Sequence, residues 1–213
     1  MSEKSKEELT LDFLHTVISN SPFKNQVYLV GGSVRDQLMG KPVKDIDLVV
    51  TSADGGIKFA TWITKKLGSY KEGANPIVFP RFGTAKFNLR GIKHQGVDLS
   101  GIDIESVMTR GEAYTPGSRK PEVVHSDLKT DAMRRDFTIN TLYMDLTTKK
   151  IKDVTGRGIQ DIKDHVIRTP TDPDVTFADD PLRMLRAVRF ATRYDWKLPR
   201  GLVETILRTA DTL

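Results

Sequence analysis

Within 24 residues, a short strand, a glycine pair, a short helix and a second strand bearing two aspartates follow one another. This run constrains the fold more than any other part of the chain. Val27–Val30 is an uninterrupted apolar tetrapeptide, the pattern of a strand buried on both faces. Gly31-Gly32 breaks it, and Ser33–Met39 reads as a helix stopped by Gly40 and Pro42. Asp45–Val50 then alternates, with Ile46, Leu48 and Val50 on one face and Asp45, Asp47 and Val49 on the other. Two strands joined through a helix require a sheet covered by helices.

The rest of the chain extends the same architecture. Glu7–Ile18 carries Leu11, Leu14, Val17 and Ile18 at helical spacing, closed by Ser21-Pro22. Ile57–Leu67 is helical, and Ile77–Phe79, Thr84–Leu89 and Ile102–Val107 read as strands. Gly111–Val124, rich in Gly, Pro and cations, reads as a loop. Asp127–Arg135 reads as a helix, and Leu142–Leu146 with Ile151–Val154 as a hairpin. Past Arg168 a proline-bearing connector, Thr169–Pro173, leads into a purely helical region. The expected class is α+β, a mixed sheet with helices at 1–165 and the start of a helical region at 166–213. The pattern at Leu213 shows no capping residue, so the natural chain is expected to continue.

Composition removes several function classes. The chain has no cysteine, which excludes disulfides, zinc–thiolate sites, iron–sulfur clusters and a thiol nucleophile. His15, His94, His125 and His165 share no metal-ligand spacing. The apolar runs are too short to span a bilayer and the N-terminus lacks the apolar core of a signal peptide, so no membrane role and a cytoplasmic location are expected. Net charge is +5, a mild basic excess that suits a polyanionic partner.

Asp45 and Asp47 carry the strongest chemical signal. Two like charges on one strand face destabilise each other unless a cation lies between them, and hard oxygen ligands suit magnesium. A solvent-facing strand would explain the pair equally well if it stood alone. Beside it, the Gly31-Gly32 turn offers bare amides to a phosphate, Ser33 can cap the helix or bond a phosphate oxygen, and Arg35 can reach the same place. A tight turn that needs glycine explains Gly31 without a ligand, but it leaves Arg35 unexplained. In the final helical stretch Arg183, Arg186, Arg189 and Arg193 fall within roughly a third of the circumference at about 100° per residue. Met184, Ala187, Val188 and Ala191 group elsewhere on the wheel. Guanidinium groups pair with base edges and phosphates in fixed geometry. Asp180 before Pro181 is a helix-start pattern, so capping competes there with ligand binding, and Asp179 is free to take one of the two jobs.

Three motifs resemble those of one family. Leu29-Val30-Gly31-Gly32-Ser33-Val34-Arg35-Asp36 with Asp45-Ile46-Asp47 is similar to the signature of the class II CCA-adding enzymes and bacterial poly(A) polymerases. Arg134-Arg135-Asp136-Phe137-Thr138-Ile139-Asn140 resembles the second motif, and Asp179-Asp180-Pro181-Leu182-Arg183 through Ala191 the nucleotide-reading motif. They stand in the family's order and cover roughly Tyr28 to Tyr194.

The resemblance implies a polymerase-β-like palm followed by the opening of a helical neck. It implies two magnesium ions on Asp45 and Asp47 and stepwise transfer of CMP and AMP from CTP and ATP to a tRNA 3′ end. A third carboxylate belongs on a neighbouring strand, and Glu105 is the candidate, with Asp103 on the same face as the alternative. By the same carry-over Arg135 contacts nucleotide and Asp136 supports ribose recognition or catalysis, the lesser alternative being a structural ion pair between Arg135 and Asp136 or a neighbour. Asp180 and Arg183 read the base, helped by Arg186 and Arg189, while Asp179 replaces the family's usual Glu. Phe137, Ile139 and Leu142 are expected in the core, and Asn140 at a turn or supporting the site. Poly(A) polymerases and enzymes adding only part of the CCA end share these motifs. A non-catalytic RNA-binding module or an inactive fragment are the readings from other classes. The cationic stretch Arg110–Lys120, with Tyr114, reads either as a contact for the RNA end or as an unconstrained loop.

Overall fold

The computed structural model describes residues 4–68, 75–113 and 122–213. In chain order the elements are α1 (Lys6–Ser19), β1 (Val27–Val30), α2 (Gly32–Leu38), β2 (Ile46–Val50), α3 (Gly55–Lys66), β3 (Ile77–Phe79), β4 (Thr84–Phe87), β5 (Lys93–His94), β6 (Val97–Asp98), β7 (Ile104–Met108), β8 (Arg110–Ala113), β9 (Glu122–His125), α4 (Leu128–Met133), β10 (Leu142–Asp145), β11 (Ile151–Asp153), α5 (Gly158–Lys163), α6 (Pro173–Asp179), α7 (Leu182–Tyr194) and α8 (Arg200–Thr209). Short 3₁₀ turns sit at Pro80–Phe82, Thr138–Asn140 and Ala210–Thr212. Among the described residues no helix is long and apolar enough to cross a membrane. The chain groups into two compact units, one of residues 1–109 and 143–152 and the other of 110–142 and 153–213. In this grouping 110–142 and 153–165 stand with the helical end.

The first unit is built on a seven-stranded sheet of order β11-β10-β1-β2-β7-β4-β3. β1 pairs antiparallel with both β10 and β2 and is buried along its whole length, as its unbroken apolar run requires. β2 and β7 run parallel, and β4 returns antiparallel to β7, so the sheet is mixed. α3 packs on the face bearing Ile46, Leu48, Ile104, Ser106, Ala85 and Phe87, where Phe59 meets Phe87 edge-on with ring centroids 5.9 Å apart. The approach is close because Gly56 has no side chain: a Cβ there would stand 2.6 Å from the Ser106 carbonyl oxygen. The Ser106 hydroxyl donates to the Gly56 carbonyl at 2.8 Å. α1 starts with a capping box, Ser5 and Glu8 each accepting from the other's backbone amide.

In the second unit β8 and β9 form an antiparallel ribbon, with Gly111 opposite Val124. Both ends of the stretch expected as a loop are therefore strands, because apolar Val123 and Val124 supply a pairing partner that the Gly/Pro content masks. Residues 114–121, including Tyr114, lie outside the described residues. α6, α7 and α8 close around Phe177, Met184 and Leu202, with Leu198 and Ile206 packed against them. Phe137 meets Phe190 edge-on at 5.6 Å, and Phe137, Ile139 and Leu142 are core residues as expected. The expected stripes on α7 need correction. Arg183 is buried beside Met184, Ala187 and Phe190, whereas Val188 is exposed with Leu182 and Leu185. Helical spacing groups residues correctly but cannot say which sector turns inward. α8 ends in a 3₁₀ turn before Leu213 rather than running on as helix.

Gly56→Ala should force α3 away from β7 and cost about 1–3 kcal/mol, an overpacking penalty. A melting temperature lowered by several degrees checks it, and an unchanged value would contradict the close approach.

Candidate active site

Register assembles the acidic part of the site in the first unit. Asp47 on β2 stands directly opposite Glu105 on β7, which in turn stands opposite Lys86 on β4. Residues in register on paired strands point to the same face. Asp45, two residues before Asp47, shares that face at the entrance to β2. Asp45 and Asp47 are exposed and Glu105 is half-buried. Asp103, the alternative third carboxylate, precedes β7, so register favours Glu105. The Lys86 Nζ lies 3.3 Å from Glu105 Oε2. Among the described residues no three His, Cys, Asp or Glu side chains are grouped to hold a metal ion. The donor chemistry of Asp45 and Asp47 nevertheless fits magnesium, which is held by one or two carboxylates and leaves its other positions to water and phosphate oxygens.

The glycine turn is tied to this strand. Gly31 takes φ 71° and ψ −132° at the start of α2, a left-handed-side conformation that glycine adopts without strain. Ser33 neither caps the helix nor points outward. Its hydroxyl is buried and donates to the Asp45 backbone carbonyl at 2.5 Å, pinning the turn to the entrance of β2. Arg35 is also buried, with its guanidinium beneath Gly32 and paired with Asp36 Oδ1 at 2.8 Å. Asp36 thus supplies the partner that sequence reasoning did not assign to Arg35, and Gly32 leaves room for the guanidinium. A Cβ at Gly32 would stand 3.2 Å from it.

The second unit gathers the arginines. Asp131 on α4, with no solvent exposure, binds both guanidiniums of the second motif: Arg134 Nη2 at 2.8 Å through Oδ1 and Arg135 Nη2 at 2.9 Å through Oδ2. Arg134 Nε also donates to the Arg110 carbonyl at 3.0 Å. α4 is begun by Asp127, whose side chain accepts from the Thr130 amide at 2.7 Å. That bond holds the Asp127 carboxyl below the usual carboxylate range.

Asp136 does not pair with Arg135. Its Oδ2 accepts from Arg186 at 2.5 and 2.9 Å, and its Oδ1 from the Phe137 amide and from Asn140 Nδ2. In this arrangement Asp136 is a positioning residue for Arg186, and Asn140 is its polar support.

Arg183 donates to the Arg134 carbonyl at 2.8 Å and to the Thr176 carbonyl at 3.4 Å, with Nε 3.9 Å from Asp180 Oδ2. Asp180 performs the capping task through Oδ1, which accepts from the Leu182 amide at 3.1 Å, and its side chain remains about two-fifths exposed. Asp179 ends α6. Arg186 and Arg189 both lie over the Phe190 ring, at 5.8 and 5.6 Å, and Arg189 is exposed. Sequence reasoning missed Asp131, although an acid three and four residues before Arg134 and Arg135 on a helix is a legible signal. It also missed Lys86, which only strand register reveals.

Asp131→Asn should leave two guanidiniums without their buried counter-charge, a loss of about 3–5 kcal/mol by analogy with other broken buried pairs. Thermal unfolding measures it, and a change below 1 kcal/mol would contradict the assigned pairing.

Three comparisons place the chain among known proteins. The family described as the Poly A polymerase head domain matches residues 27–168. The tRNA nucleotidyltransferase cca2 of Schizosaccharomyces pombe is 36% identical over 200 residues, covering 92% of this chain and 41% of the relative. A CCA-adding enzyme in its apo form superposes with a TM-score of 0.77 at 31% identity, covering 98% of this chain and 45% of that one. A tRNA nucleotidyltransferase complexed with a primer tRNA and an incoming ATP analogue gives a TM-score of 0.69 at 33% identity, covering 88% and 47%. The chain therefore spans less than half the length of these proteins. With the match running from the first buried strand through the arginine motif, the chain belongs to the poly(A) polymerase head-domain family.

Proposed function

We propose that this chain carries the catalytic head, residues 1–165, and the opening of the neck, residues 166–213, of a template-independent RNA nucleotidyltransferase. It adds CMP and AMP, from CTP and ATP, to the 3′ end of tRNA. The observation that carries this reading is the in-register placement of Asp47 against Glu105 on the face shared with Asp45. Two magnesium ions, when bound, supply activation of the attacking 3′ hydroxyl and stabilisation of the leaving pyrophosphate. Asp45 and Asp47 would hold them, with Glu105 as the third carboxylate on the neighbouring strand. Gly31 and Gly32 let the chain's own amides approach the triphosphate closely, and the Ser33 hydroxyl keeps that turn in register with Asp45. Arg35 sets the base of the turn through Asp36.

Base choice belongs to the second unit. Arg183, bonded to two main-chain carbonyls, and the part-exposed Asp180 present a donor and an acceptor to a base edge. Arg186, bonded to Asp136, and Arg135, bonded to Asp131, offer oriented positive charge to a nucleotide, and Arg189 is exposed beside Phe190. A cytoplasmic setting is part of the same proposal, in keeping with a chain that has no cysteine.

The alternative reading, a poly(A) polymerase or an enzyme adding only C or only A, draws on the same motifs and on the name of the matched family. A tRNA lacking its 3′ end, offered CTP alone, ATP alone and both, separates these. Ordered C then A incorporation is expected where these residues stand in a chain of the relatives' length, and long adenylate tails without C would overturn the CCA assignment. The 213-residue chain itself should bind nucleotide weakly and add little, and efficient complete addition would contradict that.

Asp45→Ala with Asp47→Ala should abolish incorporation and the rise in melting temperature on adding magnesium. Unfolding without magnesium should change by no more than about 0.5 kcal/mol, since both side chains are exposed. A magnesium response retained by the double variant would sink the metal assignment. Arg183→Lys keeps the charge but loses the planar fork, so wrong-base incorporation should rise more than the KM for triphosphate. Unchanged base selection would remove Arg183 from that role.

A further inference from the structure

The carboxylate row does not end at Glu105. Along the same lateral line of the sheet come Lys86 and, on the edge strand β3, Ile77, with Phe79 two residues on along that same face. α3 covers the opposite face, and on this one Val49 and Thr84 are buried while, among the described residues, Lys86 is exposed, Ile77 is 63% exposed and Phe79 40%. Beyond β3 the chain turns through Pro80–Phe82, where Phe82 is 48% exposed and Arg81 lies 5.9 Å from its ring centroid. The turn is held, not loose. Pro80 opens it, Gly83 closes it at φ 59° with its amide on the Pro80 carbonyl at 3.1 Å, and the Met108 amide bonds the Gly83 carbonyl at 3.3 Å. Burial of apolar and aromatic side chains is the usual outcome of folding, so a fixed turn that keeps two phenylalanines in solvent calls for an occupant.

Charge identifies it. From Asn75 to Val97 there is no acidic residue, while Arg81, Lys86, Arg90 and Lys93 are all exposed. Interleaved aromatic rings and cations without acids are how single-stranded nucleic acid is held, rings stacking on bases and cations tracking the backbone. A second copy docked edge to edge along β3 would instead bring like charges together.

We propose that this face of β7, β4 and β3, with Phe79, Phe82, Arg81 and Lys86 as its contacts, is the platform on which the single-stranded 3′ end of the RNA lies on its way to Asp45 and Asp47. The inference rests on the reading of the chain as an RNA nucleotidyltransferase and names the surface that receives the acceptor. The span fits the occupant. Three strand spacings of about 4.8 Å separate Ile77 from Asp47, the rise of roughly four stacked bases. Lys86 pairs with Glu105 and, exposed beside it, offers its ammonium to a backbone phosphate.

The test is fluorescence anisotropy of a labelled six-nucleotide single-stranded RNA against the 213-residue protein at fixed salt, without triphosphate. Phe79→Ala with Phe82→Ala should weaken binding at least about tenfold, and Phe79→Tyr with Phe82→Tyr should keep it within about twofold. The melting temperature and CTP binding should not move in either variant. Arg81→Gln should lower the slope of affinity against salt. Wild-type affinity in the double alanine variant, or a wild-type protein that does not bind the oligonucleotide, overturns the platform. So does a change in molar mass by light scattering with RNA affinity unaltered, which would make β3 a contact between copies. These outcomes are separate from the magnesium response of Asp45 and Asp47, so the platform can fail while the nucleotidyltransferase reading stands.

Discussion

Parallel pairing of β2 with β7 is the constraint on which the rest of the first unit depends. One register sets Asp47 beside Glu105 on one face and Leu48 beside Ser106 on the face that α3 covers. A slip of one residue would bury the acids and expose the core, so hydrophobic burial and the geometry of the acidic row are enforced by the same hydrogen bonds. α3 supplies the lock. Its approach at Gly56 is too close for any side chain, and it seals only the face that carries Ile46, Leu48, Ile104 and Phe87. The repulsion among the acids is thus borne by packing elsewhere, a common arrangement where structure serves a ligand.

The second unit solves a different problem, that of collecting guanidiniums without letting them repel one another apart. Asp131 and Asp136 each sit almost wholly inside and each fixes at least one arginine by short charge-assisted bonds. Burying a carboxylate is costly unless it is paired, and these two are paired on both oxygens. The arginines gain a defined orientation that free surface side chains lack. α4, capped by Asp127, and α7, begun by Asp180, are the rigid carriers.

Much of this was legible in the sequence, and the failures have physical causes. β1, β3 and the hairpin β10–β11 follow from apolar runs and turn residues, and Asp45 with Asp47 from strand alternation. Glu105 came from the family resemblance, and the β2–β7 register stands it opposite Asp47. Its neighbour Lys86 was not seen, because cross-strand register between β4 and β7 is set by a connection of some sixteen residues whose path no local pattern gives. Ser33 was read as a helix cap or a phosphate contact, and Arg35 as reaching the phosphate. The structure turns both inward because Asp45 offers a carbonyl and Asp36 a carboxylate, partners that depend on how tightly the glycine turn closes. On α7 the wheel ranked arginine as surface. Arg183 is instead buried, because carbonyls at Arg134 and Thr176 satisfy a donor that bulk solvent would otherwise claim.

That last arrangement bears on how the protein can change over time. Arg183 is steadied by main-chain oxygens, and every residue type brings the same oxygen to its position. Substitutions at 134 or 176 that preserve the local path of the chain therefore leave the guanidinium plane where it was. Its neighbour Arg186 has no such insurance, since its orientation hangs on the side chain of Asp136 and would drift with the first replacement there. One donor is thus shielded from sequence variation, while the other is open to evolutionary adjustment.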